Sequence, residues 1–414
     1  MRGSTTWAKA LAAAVAGSLA LAAQAAPGNG IRLGGSDAHL HPFLDLETRY
    51  DSNVAYTPTN QAIGDLILHV RPGLEVSAPG ELASLEFNGV LDWAQYMGAE
   101  KDTTNLSKLY ANASLAAAFN RSGAVSPRIN NTFARQVSTN SLSALSTAVI
   151  SNQNTLSVSV PWKPGGGALV VAANGQWMVE TYEKYGSASP GNLSDLGYNQ
   201  YRGGAEAQWR FLPRTTGLVQ GGFYSRQPNG SNMPGQATGY DAMAGITGLL
   251  SQRISATAKA GYGATTVSDV KSGGVTTFVG GKSGSFLADA GAEWLPLESL
   301  SFKVGYTRTL GVDPTVAAYT ADGVSGGFKV RLADRYAFRA GARYDHLKFD
   351  STYANGATSD FLRVDPGIDA QFARWLNASL GYVFSSRTSA SNGGSVSSLS
   401  YSKNEVFLKV SLTY

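Results

Sequence analysis

The sequence contains no cysteine, and only 15% of its 414 residues are charged. The absence of cysteine excludes thiolate catalysis, cysteine-ligated zinc or iron–sulfur centres and a disulfide framework. It also suits a chain that crosses an oxidising compartment, because there is no thiol to mispair. The 48 glycines have no three-residue period, which excludes collagen, and 43% apolar residues are too many for wholesale disorder.

The sequence also lacks a long apolar helix. After residue 25 no apolar run approaches the roughly 18 residues that a membrane-spanning helix requires. The mean hydropathy is −0.11, a value that a water-soluble protein could have. An exported chain of this kind is either soluble or crosses a membrane as a closed β-barrel, the other structure that satisfies every backbone group in lipid.

Residues 1–25 have the pattern of a secretory signal peptide. Arg2 and Lys9 precede an alanine-rich apolar run, and Ala23-Gln24-Ala25 forms a small-x-small cleavage site. Cleavage after Ala25 removes two cations and no anion, which lowers the formal net charge from +4 to about +2. So small a charge gives no reason to expect nucleic acid as a partner.

Period-two alternation dominates the rest of the chain. Phe286, Ala288, Ala290, Ala292 and Trp294, for example, alternate with Leu287, Asp289, Gly291 and Glu293. Such alternation predicts strands with one apolar and one polar face. Eight short turns are expected near residues 78–80, 120–123, 163–167, 212–213, 251–252, 296–299, 333–334 and 373–374. Nine longer loops are expected near residues 52–62, 97–105, 138–152, 183–196, 227–239, 264–284, 309–317, 350–358 and 387–400.

These connections join 18 strands, with both termini on the side of the short turns. The aromatic residues support a membrane protein, because they form two rows. Trp162, Trp209, Phe211, Trp294, Phe372 and Trp375 lie beside short turns, and Tyr50, Trp93, Trp177, Tyr201, Tyr306 and Tyr344 lie beside long loops. Two such rows are typical of the two interfaces of an outer membrane. A soluble β-sandwich, the alternative, would not require the regular contrast between turns and loops.

We therefore predict an all-β protein, a transmembrane antiparallel up-and-down β-barrel of about 18 strands. Its short turns are periplasmic and its longer loops extracellular, as in other barrels of the Gram-negative outer membrane. The expected organisation is a signal peptide at residues 1–25, a short periplasmic tail at 26–38 and the barrel at 39–414. We therefore expect neither a plug domain in this short tail nor a passenger domain before the barrel.

The last strand carries a more specific signal. Val406, Leu408, Val410, Leu412 and Tyr414 form one apolar row that ends in an aromatic residue. This row resembles the C-terminal signal of bacterial outer-membrane barrels. The resemblance implies that the barrel-assembly machinery recognises Val410, Leu412 and Tyr414.

Two Pro-Gly pairs, Pro72-Gly73 and Pro366-Gly367, follow similar Arg-Tyr-Asp segments at the same distance. Because proline removes a hydrogen bond from a ladder, we expect a bulge or bend at each. The segments 50–54 and 71–74 resemble the outer-membrane β-barrel porin families of Gram-negative bacteria. Some such porins accompany exopolysaccharide clusters, so the resemblance implies an export channel for a polysaccharide, with a periplasmic polysaccharide export protein as its partner.

Charged residues concentrate on the polar rows of two groups of strands. The candidate acidic cluster on strands 1 to 3, beside Arg49, His69 and Arg71, is Asp45, Glu47, Asp51, Asp65, Glu75, Glu86 and Asp92. The candidate basic cluster on strands 13 to 15, beside Asp345, is Lys303, Arg308, Lys329, Arg331, Arg339 and Arg343. The two clusters would create a transverse field across the lumen. Alternatively, they are ordinary solvated lumen charges that form cross-strand pairs.

The sequence does not favour an enzyme. His69 would lie beside Glu47, as a base and its orienting carboxylate would, but no motif places a serine nucleophile near them. His39 and His41 lack a third metal ligand. We expect no catalytic residue, metal or cofactor, and partners limited to outer-membrane lipid, lipopolysaccharide, the assembly machinery and the export protein.

A barrel of this size is wide enough for an aqueous channel. Its longest loop, residues 264–284, is short for a full constriction, which favours a wider conduit or closure by several loops. We expect the translocation pore of a secreted anionic or neutral polysaccharide. The alternatives are a diffusion porin for small hydrophilic solutes and a closed structural or adhesive barrel.

Overall fold

The computed structural model describes residues 30–33, 37–98, 106–138, 149–183, 193–230, 236–272, 275–313, 317–333, 335–350, 356–390 and 400–414. The signal peptide expected at residues 1–25 lies outside these ranges and stays a prediction. Part of the expected tail is described, and there Ile31–Arg32 pairs with the start of the first barrel strand. No helix within the described ranges is both long and apolar enough to span a bilayer.

Eighteen antiparallel strands, β1 to β18, form one closed sheet, as the alternation predicts. Strand β16 is interrupted at Asp365 and Pro366 and therefore has two parts. The strands are His39–Asp51, Asp65–Ala78, Ala83–Tyr96, Lys108–Phe119, Arg128–Ser138, Val149–Trp162, Leu169–Glu183, Tyr198–Leu212, Thr215–Pro228, Ala237–Leu249, Ile254–Val267, Gly281–Leu297, Leu300–Asp313, Ala317–Leu332, Tyr336–Phe349, Thr358–Val364 with Gly367–Ala373, Leu376–Ala390 and Tyr401–Thr413.

The barrel closes where β18 pairs with β1, from Phe43 opposite Thr413 to Asp51 opposite Glu405. All twelve aromatic residues that the sequence places in two rows are at least 36% exposed, and they lie on the outer face or in a turn beside it. The alternate positions of each strand face the lumen. The apolar row of each strand therefore contacts lipid, and the polar row lines the interior.

The eight short turns and nine longer connections occur where the sequence places them, with one difference in length. Strands β13 and β14 remain paired as far as Asp313 opposite Ala317, so the loop expected over 309–317 is a tight hairpin. Leu310 and Val312 continue the apolar row of β13, and Gly311 and Asp313 obscure that continuation in the sequence. The loop expected over 264–284 contains its own hairpin, Val270–Ser272 with Val275–Phe278.

The two Pro-Gly pairs differ in their local structure. Pro366 interrupts β16, in agreement with the predicted break in the ladder. Pro72 lies within the continuous strand β2, whose pairing with β1 has no bulge. The ladder from β2 to β3, however, is interrupted at Arg71 and Pro72, between Val70 opposite Trp93 and Gly73 opposite Val90. At Gly73 the ring of Phe43 covers the backbone, and a Cβ there would come within 2.0 Å of it. Gly73 is therefore required for the packing of an inner-face aromatic ring.

Candidate functional site

The register places all seven predicted acidic residues directly opposite other inner-face residues. Glu47 lies opposite His69, Asp51 opposite Asp65, and Glu75 opposite Asn88. Asp45 and Glu86 share these inner rows, and Asp92 lies opposite the inner-face Tyr110. The strands therefore bring the whole predicted acidic cluster to one side of the lumen.

Most of this side is neutralised by cations within hydrogen-bond distance. Glu47 forms ion pairs with Arg49 at 2.7 Å and with Arg71 at 2.8 Å. Asp92 pairs with Arg71 at 2.9 Å and with His69 at 2.9 Å. The histidine therefore contacts Asp92 rather than Glu47, and both carboxylates are parts of an ion-pair ladder that crosses β1, β2 and β3.

Strand β18 contributes cations that the sequence analysis did not assign to this cluster. The buried ammonium of Lys403 lies 2.7 Å from a carboxylate oxygen of Asp51 and 2.7 Å from one of Glu405. Glu405 also pairs with Arg49 at 3.0 Å, and Lys409 lies 3.8 Å from Asp45. Alternation places Lys403 on an inner row, but only the closure of the barrel brings it to β1.

Three acidic residues are outside this ladder. Asp65 accepts a hydrogen bond from the backbone N–H of Gly98 at 2.7 Å. Glu75 and Glu86 are exposed to the lumen, and neither forms an ion pair within the described part of the chain. Both lie close to the periplasmic turn between β2 and β3, so the exposed acidic charge of this cluster that has no ion pair is located at the periplasmic mouth.

The basic cluster is also largely paired. Arg339 pairs with Asp369 at 3.1 Å, and Arg343 pairs with Asp345 at 2.7 Å. Lys303 lies 3.2 Å from Glu293, but its side chain is 67% exposed. Lys329 and Arg331 are exposed inner-face residues near the periplasmic end of β14, and neither has an ion-pair partner among the described residues.

Arg308 is not in the lumen, which corrects the sequence-based assignment. Lys303 and Arg308 are five positions apart, and residues an odd number apart on an unbroken strand face opposite sides. Arg308 lies on the outer face above Tyr306, where it pairs with Asp322 at 2.9 Å. The hydroxyl of Tyr306 donates to the same carboxylate at 2.7 Å. This group belongs to the outer wall at the extracellular interface.

The first extracellular loop, residues 52–64, folds against the inner wall. Val54 is buried in a cluster with inner-face residues of β2 to β4, and Tyr56 packs edge to face on Tyr401 with ring centroids 5.2 Å apart. The Tyr56 ring also lies 4.0 Å from the ammonium of Lys403. Asn53 holds the loop in shape, because its side chain donates to the Thr57 carbonyl and accepts the Thr57 N–H.

The hairpin of β13 and β14 approaches the lumen from another side. Arg226 on the inner face of β9 donates a hydrogen bond to the carbonyl of Val312 on β13. Three strands separate β9 from β13 in the sheet, so this bond requires the hairpin to bend inward. The guanidinium also stacks on Tyr198 at 3.6 Å, and the Tyr198 hydroxyl donates to Glu180 at 2.7 Å.

Two inward-folded segments therefore narrow the extracellular half of the lumen. We call the loop 52–64 and the inward-bent end of β13 and β14 the constriction elements. The loop expected over 264–284 forms its own small hairpin. In the periplasmic half, by contrast, inner-face residues such as Glu75, Asn88 and Lys329 are exposed to solvent. The lumen is thus open in its periplasmic half and narrow in its extracellular half.

The described residues contain no candidate metal-binding site. No group of three or more His, Asp or Glu side chains is arranged to hold an ion there. His39 and His41 stack with ring centroids 6.1 Å apart, and the ring of His41 contacts the Tyr414 carbonyl oxygen at 3.2 Å.

Comparison with solved structures finds outer-membrane proteins of low sequence identity. OpdK of Pseudomonas aeruginosa, crystallised with vanillate, is 12% identical, with 91% of this chain and 99% of that chain covered and a TM-score of 0.45. OccAB2 of Acinetobacter baumannii is 10% identical, with 91% and 98% covered and a TM-score of 0.49. The FrpB iron transporter of Neisseria meningitidis is 9% identical, with 90% and 81% covered and a TM-score of 0.43. No curated protein matches the sequence.

The family comparison is more direct. Residues 27–414 match the family described as "Putative beta-barrel porin 2", which is nearly the whole chain. Porins are channels and not enzymes, in agreement with the expectation from the sequence. The closed 18-strand barrel, its two aromatic rows and this match show that the chain belongs to the putative beta-barrel porin 2 family and is a porin-like channel of the Gram-negative outer membrane.

Proposed function

We propose that the protein is a passive channel for small hydrophilic solutes, with a size limit set by the two constriction elements. One observation carries this proposal: extracellular segments fold into a lumen whose periplasmic half is lined by exposed polar residues. Pore-lining groups and pore width determine what a channel passes. An inner face of Glu75, Asn88 and Lys329 suits solutes that remain hydrated.

The narrow extracellular half supports small solutes over a bulky cargo. There the inner-face residues Glu180, Tyr198 and Arg226 are each less than 8% exposed, because they pack against one another and against the β13–β14 hairpin. A hydrated polymer would have to displace these contacts. A small solute needs only the space between the hairpin and the loop 52–64.

Secretion of a polysaccharide is the second candidate, and one observation favours it. Exposed charges that have no ion-pair partner within the described residues, among them Lys329, Arg331, Glu75 and Glu86, lie at the periplasmic mouth, where an exported chain would enter. A periplasmic polysaccharide export protein would then be the partner. The barrel-assembly machinery and lipopolysaccharide are proposed partners for either function.

Purified protein in planar bilayers tests the proposed function. We expect stable conductance steps, together with liposome permeability to short sugars that falls as sugar length increases. Absence of steps would support the third alternative, a closed structural barrel. Deletion of the gene separates the two candidates. Loss of small-solute uptake with normal surface polysaccharide supports diffusion, whereas the reverse result supports export and contradicts our proposal.

Ion selectivity provides a separate prediction. We expect Lys329→Gln combined with Arg331→Gln to shift the reversal potential toward cation selectivity, because both cations are exposed to the lumen. The control is Arg339→Gln with Asp369→Asn, which removes a pair 3.1 Å apart without changing net charge. An unchanged reversal potential in the first variant would show that these cations do not act on permeating ions.

A further inference from the structure

Positive charge collects on the periplasmic rim of the barrel. Cations occur in six of the eight short turns, at Arg121, Lys163, Arg214, Arg253, Arg335 and Arg374. The acidic residues of these turns are Glu81, Glu298 and Asp334. Three of these cations, Arg214, Arg253 and Arg335, lie in the turns from β8 to β15, opposite the exposed Glu75 and Glu86.

On this side the cations continue from the rim into the lumen. We define the basic arc as Arg214, Arg253 and Arg335 at turns, with Arg210, Lys329 and Arg331 on adjoining inner rows. All six side chains are exposed, and none has an ion-pair partner among the described residues. This distinguishes the basic arc from other inner-face cations, because Arg343 on β15 and Arg49, Arg71 and Lys403 across the lumen each pair with a carboxylate.

Backbone contacts hold two members of the arc in position. Arg253 donates to the carbonyl of Pro296 at 2.5 Å, and Arg331 donates to the carbonyl of Glu298 at 3.4 Å. Both carbonyls lie at the connection between β12 and β13. Each guanidinium has five N–H donors, so one such contact orients the group and leaves donors free for an anion. Arginine donors match the paired oxygens of a carboxylate.

We propose that the basic arc is a binding site for carboxylate-bearing saccharides at the periplasmic mouth of the lumen. The inference rests on the proposed channel and names its substrate class. Two observations favour a saccharide over an acidic protein docked on the rim. The arc continues inward through Arg210, Lys329 and Arg331, where a docked protein would not reach. The opposite wall carries Glu75 and Glu86, which repel an anion toward the arc.

Single-channel block in planar bilayers tests the proposal, with trigalacturonate as the charged probe and maltotriose as the neutral probe of equal length. The chain has no cysteine, so Gln236→Cys, at an exposed position in the connection between β9 and β10 and outside the constriction elements, identifies the extracellular side with a membrane-impermeant thiol reagent. We expect trigalacturonate to interrupt the current from the turn side and maltotriose to have little effect. Block by both probes alike, or equally from both sides, would overturn the proposal.

Variants then identify the residues responsible. In Arg210→Gln with Lys329→Gln and Arg331→Gln, we expect half-block to need about tenfold more trigalacturonate, since charge-assisted hydrogen bonds are lost. Glu75→Gln with Glu86→Gln removes the negative charge from the wall opposite the arc and should strengthen the block. This variant tests independently whether that charge repels the anion toward the arc. The matched control is Arg339→Gln with Asp369→Asn, whose block should equal that of the parent.

Two other outcomes separate the proposal from its alternatives. If Arg214→Gln, Arg253→Gln and Arg335→Gln together abolish the block while the inner-row variant retains it, the arc is a rim surface for an acidic macromolecule and the proposal fails. If the parent protein conducts but trigalacturonate never interrupts the current, the substrate class is wrong and the channel function stands. If the parent does not conduct at all, the proposed function itself fails.

Discussion

Lys403→Met is expected to lower the free energy of unfolding by about 3 to 5 kcal/mol, the usual cost of removing one partner from a buried ion pair. The lysine is 4% exposed, and its ammonium contacts carboxylates of Asp51 and Glu405, both at 2.7 Å. Without it, two anions remain close together inside the barrel wall. The loss should fall at the junction of β18 and β1, where the sheet closes.

Urea unfolding of the folded barrel in detergent measures this difference. Lys303→Met is the control, because that lysine is 67% exposed beside Glu293 and should change the unfolding free energy by less than about 1 kcal/mol. A triple variant, Lys403→Met with Asp51→Asn and Glu405→Gln, should recover much of the loss, since no unpaired anion then remains. Equal unfolding free energies for the Lys403 and Lys303 variants would contradict the assigned role.

Shortening the first loop is expected to enlarge the channel. If Val54 to Ile63 are replaced by three glycines, the segment that packs on Tyr401, Lys403 and the inner wall is lost. We expect a severalfold increase in single-channel conductance and a higher size limit for sugars, because the narrow part of the lumen widens. The barrel should still form, since the strands that flank the loop keep their ladder bonds.

The matched control shortens the connection between β11 and β12. That segment, residues 268–280, pairs with itself through Val270–Ser272 and Val275–Phe278. Its removal should leave the conductance near the parent value. The opposite pattern would contradict the assignment. If shortening the β11–β12 connection increases the current and shortening the first loop does not, the constriction is formed by that longest loop.

The strand number, the position of nearly every turn and the face of most residues could be predicted from the sequence. Each depends on a local rule: period two assigns a face, and aromatic residues mark the two interfaces. Arg308 was assigned to the lumen because it is charged. Its spacing of five residues from Lys303 already places it on the outer face. The hairpin of β13 and β14 was mistaken for a loop because Gly311 and Asp313 resemble loop residues.

The strength of the transverse electric field across the lumen could not be predicted from such local rules. Alternation identifies Asp51 and Lys403 as inner-face residues, but they are separated by nearly the whole chain. They meet because the sheet closes on itself, and the twist and stagger of all 18 strands determine which residues of β18 and β1 are opposite. Pairing across that closure gives Asp51 and Asp45 their cations, while Glu47 and Asp92 pair with cations of β1 and β2.

The extracellular constriction likewise depends on contacts between distant segments. The loop 52–64 has no feature that separates it from eight other polar connections, yet it folds inward because Val54 and Tyr56 find apolar and aromatic partners on five strands. Arg226 reaches Val312 only because the β13–β14 hairpin bends over the lumen. Local alternation thus specifies a barrel with an apolar outside and a polar inside, while three-dimensional closure and loop packing decide which charges remain free and where the pore is narrow.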